Sequence, residues 1–103
     1  MKILWLELAE EDLDSIYRFY AEKNSGNFAS RIYNQILDAA DDLIHFPQMG
    51  PIEWNLSEKG EEYRSLLVRK YFKIIYFIED DYIYIAAIWD CWQNPYTNIS
   101  KVK

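Results

Sequence analysis

Three consecutive apolar segments between Tyr63 and Asp90 constrain the fold of this chain more than any other feature. Residues 63–69, 72–78 and 82–89 are each rich in aromatic and β-branched residues, which favour the pleated, half-buried surface of a sheet. The intervening Glu79-Asp80-Asp81 contains no apolar residue and predicts a tight hairpin. We therefore expect a meander of three strands whose apolar face needs a cover.

Alternation along each segment predicts which side chains share a face of the sheet, because successive side chains of a strand point to opposite sides. The predicted sets are Arg64 with Leu66 and Val68; Phe72 with Ile74, Tyr76 and Ile78; Lys73 with Ile75 and Phe77; and Ile83 with Ile85, Ala87 and Trp89.

The first half of the chain supplies the cover. Residues 3–8 are an apolar segment that predicts a first strand, after which Ala9 to Lys23 follows the helical period. A second helix is expected from about Phe28 to Ile44, and Pro47 prevents its continuation. The polar break of residues 24–27 allows only an antiparallel helical hairpin. The predicted fold class is α+β, in the order β-α-α-β-β-β, with the helical hairpin packed on one face of a small, mostly antiparallel sheet.

The length of 103 residues fits one domain, so we expect residues 1–103 to form a single unit with a tail from about residue 96 that is extended or frayed. A lone cysteine excludes an internal disulfide and favours the reducing cytoplasm. No apolar run is long enough to span a membrane, and the first ten residues are unlike a signal peptide. The net charge of −6 argues against direct binding to DNA or to anionic membranes.

The sequence predicts no cofactor and no metal site. Its three glycines are scattered, and His45 is its only histidine. His45 fits the end of a helix better than a catalytic role, and Cys91 fits a packed thiol at a strand end better than a nucleophile. The acidic runs 41–42 and 79–81 are interpreted as solvated surface rather than metal ligands.

Basic residues are concentrated in one window of the predicted sheet, which contains Arg64, Arg69, Lys70 and Lys73. Arg64 and Lys73 fall on neighbouring strands, where two cations can bind a phosphate backbone or stabilise a developing negative charge. Alternatively, both are rim residues that form ordinary ion pairs with Glu61 or Glu62.

An ordered set of residues resembles the RelE/ParE superfamily, the toxins of type II toxin–antitoxin pairs. The set consists of Trp5, Ala9, Asp12-Leu13, Ile16, Tyr20, Ala29, Ile32, Leu43, Pro47-x-x-Gly50, Tyr63-Arg64-x-Leu66-x-Val68-x-x-Tyr71 and Lys73-Ile74-Ile75-Tyr76. The resemblance covers essentially Trp5 to Pro95 and extends to the order and length of the elements. It implies the same helical hairpin on a small antiparallel sheet.

Two activities occur in this superfamily. RelE-like members cut mRNA in the ribosomal A site without metal, using basic residues and often a tyrosine near the C-terminus, whereas ParE-like members inhibit DNA gyrase. The resemblance makes Arg64, Lys73 and Tyr96 the catalytic candidates for a ribonuclease. However, Leu66 stands where a second strand lysine is expected, and Trp92 stands where an arginine is expected.

A ribonuclease that works without metal must offset the charge on a dianionic transition state, so the missing cations argue against that chemistry. We therefore expect a non-enzymatic, ParE-like toxin that acts by protein–protein contact, on DNA gyrase, with Arg64, Arg69, Lys73 and Trp92 as target-contact residues. A cognate antitoxin is expected to lay a helix or strand along the apolar groove between the helical hairpin and the sheet. The alternatives are a ribosome-dependent mRNA endonuclease and a non-toxic antitoxin-binding module.

Overall fold

The computed structural model describes residues 1–91, which form one four-stranded sheet with two helices. The strands are β1 (Lys2–Trp5), β2 (Arg64–Val68), β3 (Phe72–Glu79) and β4 (Tyr82–Asp90); the helices are α1 (Glu7–Lys23) and α2 (Gly26–Asp42). The strand order is β1-β4-β3-β2, with β1 parallel to β4 and the other pairs antiparallel. The predicted fold class and order of elements are therefore confirmed.

The segment predicted as a strand over residues 3–8 is divided between β1 and α1. β1 ends at Trp5, and the next residue, Leu6, caps α1. The Leu6 N–H donates to the Ile85 carbonyl at 2.9 Å, and the Leu6 carbonyl accepts from the Glu10 N–H at 3.1 Å. The apolar pattern continues into the first turn of the helix, so alternation alone could not locate this boundary.

α2 begins at Gly26, earlier than the predicted Phe28, because Ser25 caps it. The Ser25 Oγ accepts a hydrogen bond from the Phe28 N–H at 3.1 Å, which satisfies one of the free donors at a helix start. The helix also ends earlier than expected, at Asp42 rather than Ile44. Only two residues therefore separate α1 from α2.

A β-bulge at Ala86 changes the predicted faces of β4. The register pairs Ile75 with Ala87 but Tyr76 with Ile85, which leaves Ala86 as an extra residue. Beyond such a residue the alternation of side chains reverses. The predicted common face was therefore wrong, and its members are divided into Ile83 with Ile85 on one face and Ala87 with Trp89 on the other.

The sheet carries an apolar cluster on each face. Side chains from α1, α2 and the covered face of the sheet form the larger cluster, which includes Leu13, Ile32, Ile36, Ile74 and Tyr76. The smaller cluster, on the opposite face, consists of Leu56, Tyr63, Ile75, Ala86, Ala87 and Trp89. Leu56 reaches it from a short 3-10 turn (Trp54–Leu56) in the connection between α2 and β2. Within residues 1–91, no helix is long and apolar enough to cross a membrane.

Candidate functional site

The structure places Arg64 and Lys73 on opposite faces of the sheet. Arg64 alternates with Leu66 and Val68, which contribute to the cluster under the helices. Lys73 lies on the other face, where its Nζ is 5.9 Å from the centroid of the Trp89 ring. The two cations therefore do not converge on one phosphate group, although they come from neighbouring strands.

Arg64 fastens the loop that follows α2. Its Nη1 donates to the Gly50 carbonyl at 2.9 Å, and its Nη2 lies 3.6 Å from a carboxylate oxygen of Glu62. The Arg64 side chain is 17% exposed, whereas that of Glu62 is 68% exposed. Because solvent weakens the exposed ion pair, the bond to Gly50 is the stronger constraint. Arg64 thus forms the rim ion pair considered above, but its main contact is with the backbone.

Tyr76 holds the same loop from within the core. Its hydroxyl donates to the Pro47 carbonyl at 2.8 Å and accepts from the Gly50 N–H at 3.0 Å. Burial raises the pKa of the Tyr76 hydroxyl, and the bond from Gly50 and the charge of Arg64 only partly oppose this shift. The hydroxyl therefore remains a donor at neutral pH. Pro47, Gly50, Arg64 and Tyr76 together form a unit that we call the loop clamp.

Gly50 makes the close approach of this loop possible. A Cβ atom at this position would lie 2.6 Å from the Ser65 carbonyl oxygen and 2.9 Å from the Tyr76 hydroxyl oxygen. The first of these neighbours is backbone in β2 and cannot move aside without disturbing the strand. The spacing Pro47-x-x-Gly50 in the sequence therefore reflects packing of the loop on the sheet.

Lys73 is the partner of a buried carboxylate that the sequence did not identify, Glu53. The Lys73 Nζ is 3.0 Å from a Glu53 oxygen, and Asn55 donates to the other oxygen at 3.0 Å. Burial alone would raise the pKa of Glu53, but hydrogen bonds from Lys73, Ser65 and Asn55, with the charge of Lys73, lower it. Lys73 therefore neutralises a charge inside the fold; it forms an ion pair, as in the second alternative above, but with Glu53 rather than with Glu61 or Glu62.

Two polar residues of the superfamily pattern, Asp12 and Tyr20, fasten α1 to β4. The Asp12 carboxylate accepts from the Ile88 N–H at 3.0 Å, just beyond the bulge. The Tyr20 hydroxyl donates to the Asp90 carboxylate at 2.9 Å. Burial, the hydrogen bond to Asp90 and the charge of Asp90 raise the pKa of Tyr20, so the phenol stays neutral. These contacts give both residues a role in the packing of the helix on the sheet.

The remaining candidates occupy different places. Arg69 lies in the β2–β3 connection and contacts α2, whereas Lys73 contacts Glu53 and Trp89 on the other face of the sheet. Cys91 is exposed, so the prediction of a packed thiol was wrong. The part of the thiol's surroundings that is buried still raises its pKa, and the charge of Lys73 opposes this shift. Trp92 and Tyr96 lie outside the described residues. Within residues 1–91, no group of three or more His, Cys, Asp or Glu side chains is arranged to hold a metal ion.

A groove follows the outer side of the helical hairpin. It consists of two adjoining hollows of about 370 and about 270 Å³, which share Asp14 and Tyr33. We call this feature the hairpin groove; its further lining residues are Trp5, Glu10, Leu13, Tyr17, Ser30, Asn34 and Leu37. It lies mainly between α1 and α2 and touches the sheet only at Trp5.

Comparison with known proteins agrees with the resemblance seen in the sequence. The family model described as "ParE toxin of type II toxin-antitoxin system, parDE" matches residues 3–95. A solved structure from the chromosomal ParDE TA system of P. aeruginosa has the same fold, with a TM-score of 0.73 and 23% sequence identity. That match covers 87% of this chain and 95% of the other. No curated protein sequence matches the chain significantly. Because the family match extends over almost the whole length, this chain belongs to the ParE toxin family of type II toxin–antitoxin systems.

Proposed function

We propose that this ParE-family toxin acts by protein–protein contact on DNA gyrase and is neutralised by a cognate antitoxin. The observation that carries the proposal is the engagement of Arg64 and Lys73 in contacts that hold the fold. Arg64 binds the Gly50 carbonyl in the loop clamp, and Lys73 neutralises Glu53 on the opposite face. Neither cation is left free to serve a reaction.

Cleavage of RNA without metal requires several cations or proton-transfer groups around one phosphate, because negative charge grows on that phosphate in the transition state. Arg64 and Lys73 are separated by the sheet, and within residues 1–91 no other strand cation joins either of them. Inhibition by contact needs only a rigid, complementary surface. The sheet, fastened to α1 and to the loop, supplies such a surface.

The hairpin groove is the site we propose for the antitoxin. Its walls combine the aromatic side chains of Trp5, Tyr17 and Tyr33 with the apolar Leu13 and Leu37. An amphipathic helix or an extended segment binds such a groove through regularly spaced apolar side chains. This location differs from the expected groove between the helices and the sheet, because the helices already cover that face.

The proposal predicts that DNA synthesis stops before protein synthesis when the chain is produced alone in bacteria. We expect incorporation of labelled thymidine to fall within minutes, before incorporation of labelled amino acids, while translated mRNA stays intact. A strain that also produces the cognate antitoxin is the matched control and should grow normally.

The other outcomes separate the alternatives. An earlier fall in amino-acid incorporation, with cleavage of translated mRNA at codon-phased positions, would identify a ribosome-dependent endonuclease. Normal growth in the presence of abundant folded protein would identify a non-toxic antitoxin-binding module. Either result contradicts action on gyrase.

A further inference from the structure

Charged side chains are distributed unevenly between two ends of the described molecule. The acidic end combines the start of α1, the end of α2 and the β3–β4 hairpin, and it carries Glu7, Glu10, Glu11, Asp38, Asp41, Asp42, Glu79, Asp80 and Asp81. The opposite end, which we call the basic end, combines the end of α1, the first half of α2 and the β2–β3 connection; it carries the four cations Lys23, Arg31, Arg69 and Lys70 against the single carboxylate of Glu22. A protein with a net charge of −6 thus carries an excess of cations at this end.

Aromatic contacts hold the three parts of the basic end together. Tyr20 packs edge-on against Phe28 of α2 and Phe72 of β3, with ring centroids 5.9 and 5.8 Å apart. The Arg69 guanidinium lies 5.5 Å from the Phe28 ring, and its Nη1 donates to Gln35 at 2.7 Å. Arg69 is therefore placed beside α2 by two contacts, neither of which is an ion pair.

The other cations of the basic end surround this contact. Arg31 lies between Phe28 and Gln35 on one stripe of α2, since residues three or four apart are neighbours on a helix surface. Lys23 lies 5.8 Å from the Phe19 ring at the end of α1. Two ion pairs of the described residues, those of Arg64 with Glu62 and of Lys73 with Glu53, lie outside the basic end.

Two of these cations occupy backbone conformations that their residue types disfavour. Arg69 and Lys70 have φ values of 55° and 70°, in the left-handed region. A hairpin turn with positive φ at two consecutive residues favours the sequence Asn-Gly. An uncharged pair would therefore suit the turn better than the two cations present. Such conflict between residue type and local backbone is characteristic of functional sites.

We propose that the basic end is the docking surface for an acidic segment of the cognate antitoxin. The inference rests on the proposed function, because it takes the antitoxin as the partner. The hairpin groove leads to this surface: Asn34, which lines the groove, is three residues from Arg31 on the outer side of α2. A segment that leaves the groove across α2 brings its acidic side chains to Arg31, Arg69 and Lys70.

A short acidic peptide segment fits this surface better than nucleic acid does. A long polyanion extends beyond the basic end, so the net charge of −6 on the protein repels it. A short segment places its charges only at the basic end, within the roughly 10 Å over which unscreened attraction acts. The neighbouring aromatic rings add apolar contact area for its other side chains.

The test compares antitoxin binding by the wild-type toxin and by a variant with an Asn-Gly turn, R69N/K70G. Purified antitoxin is titrated into each protein at about 50 mM and at about 300 mM salt, because screening weakens exposed charge pairs. We expect the variant to bind about tenfold more weakly at the lower salt concentration, with a smaller difference at the higher one. The control K2Q/K59Q removes two cations from outside the basic end and should bind as the wild type does.

Stability measurements separate loss of docking from loss of fold. The thermal midpoint of R69N/K70G should stay close to that of the wild type, because the better fit of Asn-Gly to the turn offsets the lost contacts of Arg69 with Gln35 and Phe28. Arg31→Gln, on the helix surface, provides a second variant that leaves the turn untouched, and it should also weaken binding. Retained affinity in both variants, or an equal loss in K2Q/K59Q, would overturn the proposal.

Two further outcomes would overturn it for different reasons. Tight binding of a duplex DNA probe by the wild type, lost in R69N/K70G, would make the basic end a nucleic-acid surface. Absence of any antitoxin binding by the wild type would contradict the proposed function itself. In contrast, normal antitoxin binding without dependence on the basic end refutes only the docking surface.

Discussion

Replacing Gly50 with alanine should lower the free energy of unfolding by about 1–3 kcal/mol, as expected for an added methyl group in a closely packed region. The new Cβ would lie 2.6 Å from the Ser65 carbonyl oxygen, which belongs to the backbone of β2. The loop must therefore move away from the strand, which also strains its bonds to Tyr76 and Arg64. The loss of stability thus measures how firmly the loop clamp is closed.

Urea unfolding of Gly50→Ala beside Gly26→Ala gives the measurement and its control. Gly26 begins α2 and has no atom within 4 Å of an added Cβ. Because alanine favours the helix over glycine, by up to about 1 kcal/mol, the control should be as stable as the wild type or more so. Equal stability of Gly50→Ala and the wild type would show that the loop does not pack on β2 as described.

Replacing Lys73 with methionine should lower the free energy of unfolding at neutral pH by about 1–3 kcal/mol, because the buried Glu53 carboxylate loses its cation. This range lies below that for a fully buried pair, since the Lys73 side chain is 32% exposed and solvent screens part of the interaction. Methionine keeps a long apolar stem against Trp89, so the change acts mainly on charge. The double variant E53Q/K73M, which contains no ionised group at the site, should regain part of the lost stability.

The effect of Lys73→Met should depend on pH. The pKa of Glu53 is lowered in the folded protein, so the ionised carboxylate stabilises the fold above its unfolded pKa of about 4.3, and this contribution disappears as the pH falls through the lowered value. The wild type and Lys73→Met should therefore converge in stability as the pH falls below the unfolded pKa and through the lowered folded pKa of Glu53. A difference that stays constant over this range would mean that Lys73 stabilises the fold by packing alone.

Periodicity in the sequence was sufficient to predict the architecture. The helical spacing of Leu13 and Ile16 and the alternation of Phe72, Ile74 and Tyr76 both survive in the fold, because each pattern follows one buried face. Alternation also grouped Arg64 with Leu66 and Val68, and Lys73 with Ile75 and Phe77, as the fold does. It could not reveal the extra residue at Ala86, since a bulge leaves no mark on a local apolar pattern.

The candidate site was harder to predict because its contacts join distant parts of the chain. Glu53 meets Lys73 only after the long connection folds back on the sheet, and no spacing rule links the two positions. Tyr76 looked like an ordinary core residue, although its hydroxyl fixes the loop at Pro47 and Gly50. The resemblance to a toxin superfamily pointed to Gly50 and Arg64, but the geometry was needed to show that these residues contact each other.

Supercoiling of relaxed plasmid DNA by purified gyrase tests the proposed activity most directly. The toxin, purified away from antitoxin, is added in increasing amounts, and a parallel series also contains the antitoxin. We expect supercoiling to be lost as the toxin concentration rises and to be restored by the antitoxin. Undiminished supercoiling at high concentrations of folded toxin, with cleavage of mRNA on translating ribosomes, would contradict action on gyrase and would return Arg64 and Lys73 to consideration as catalytic groups.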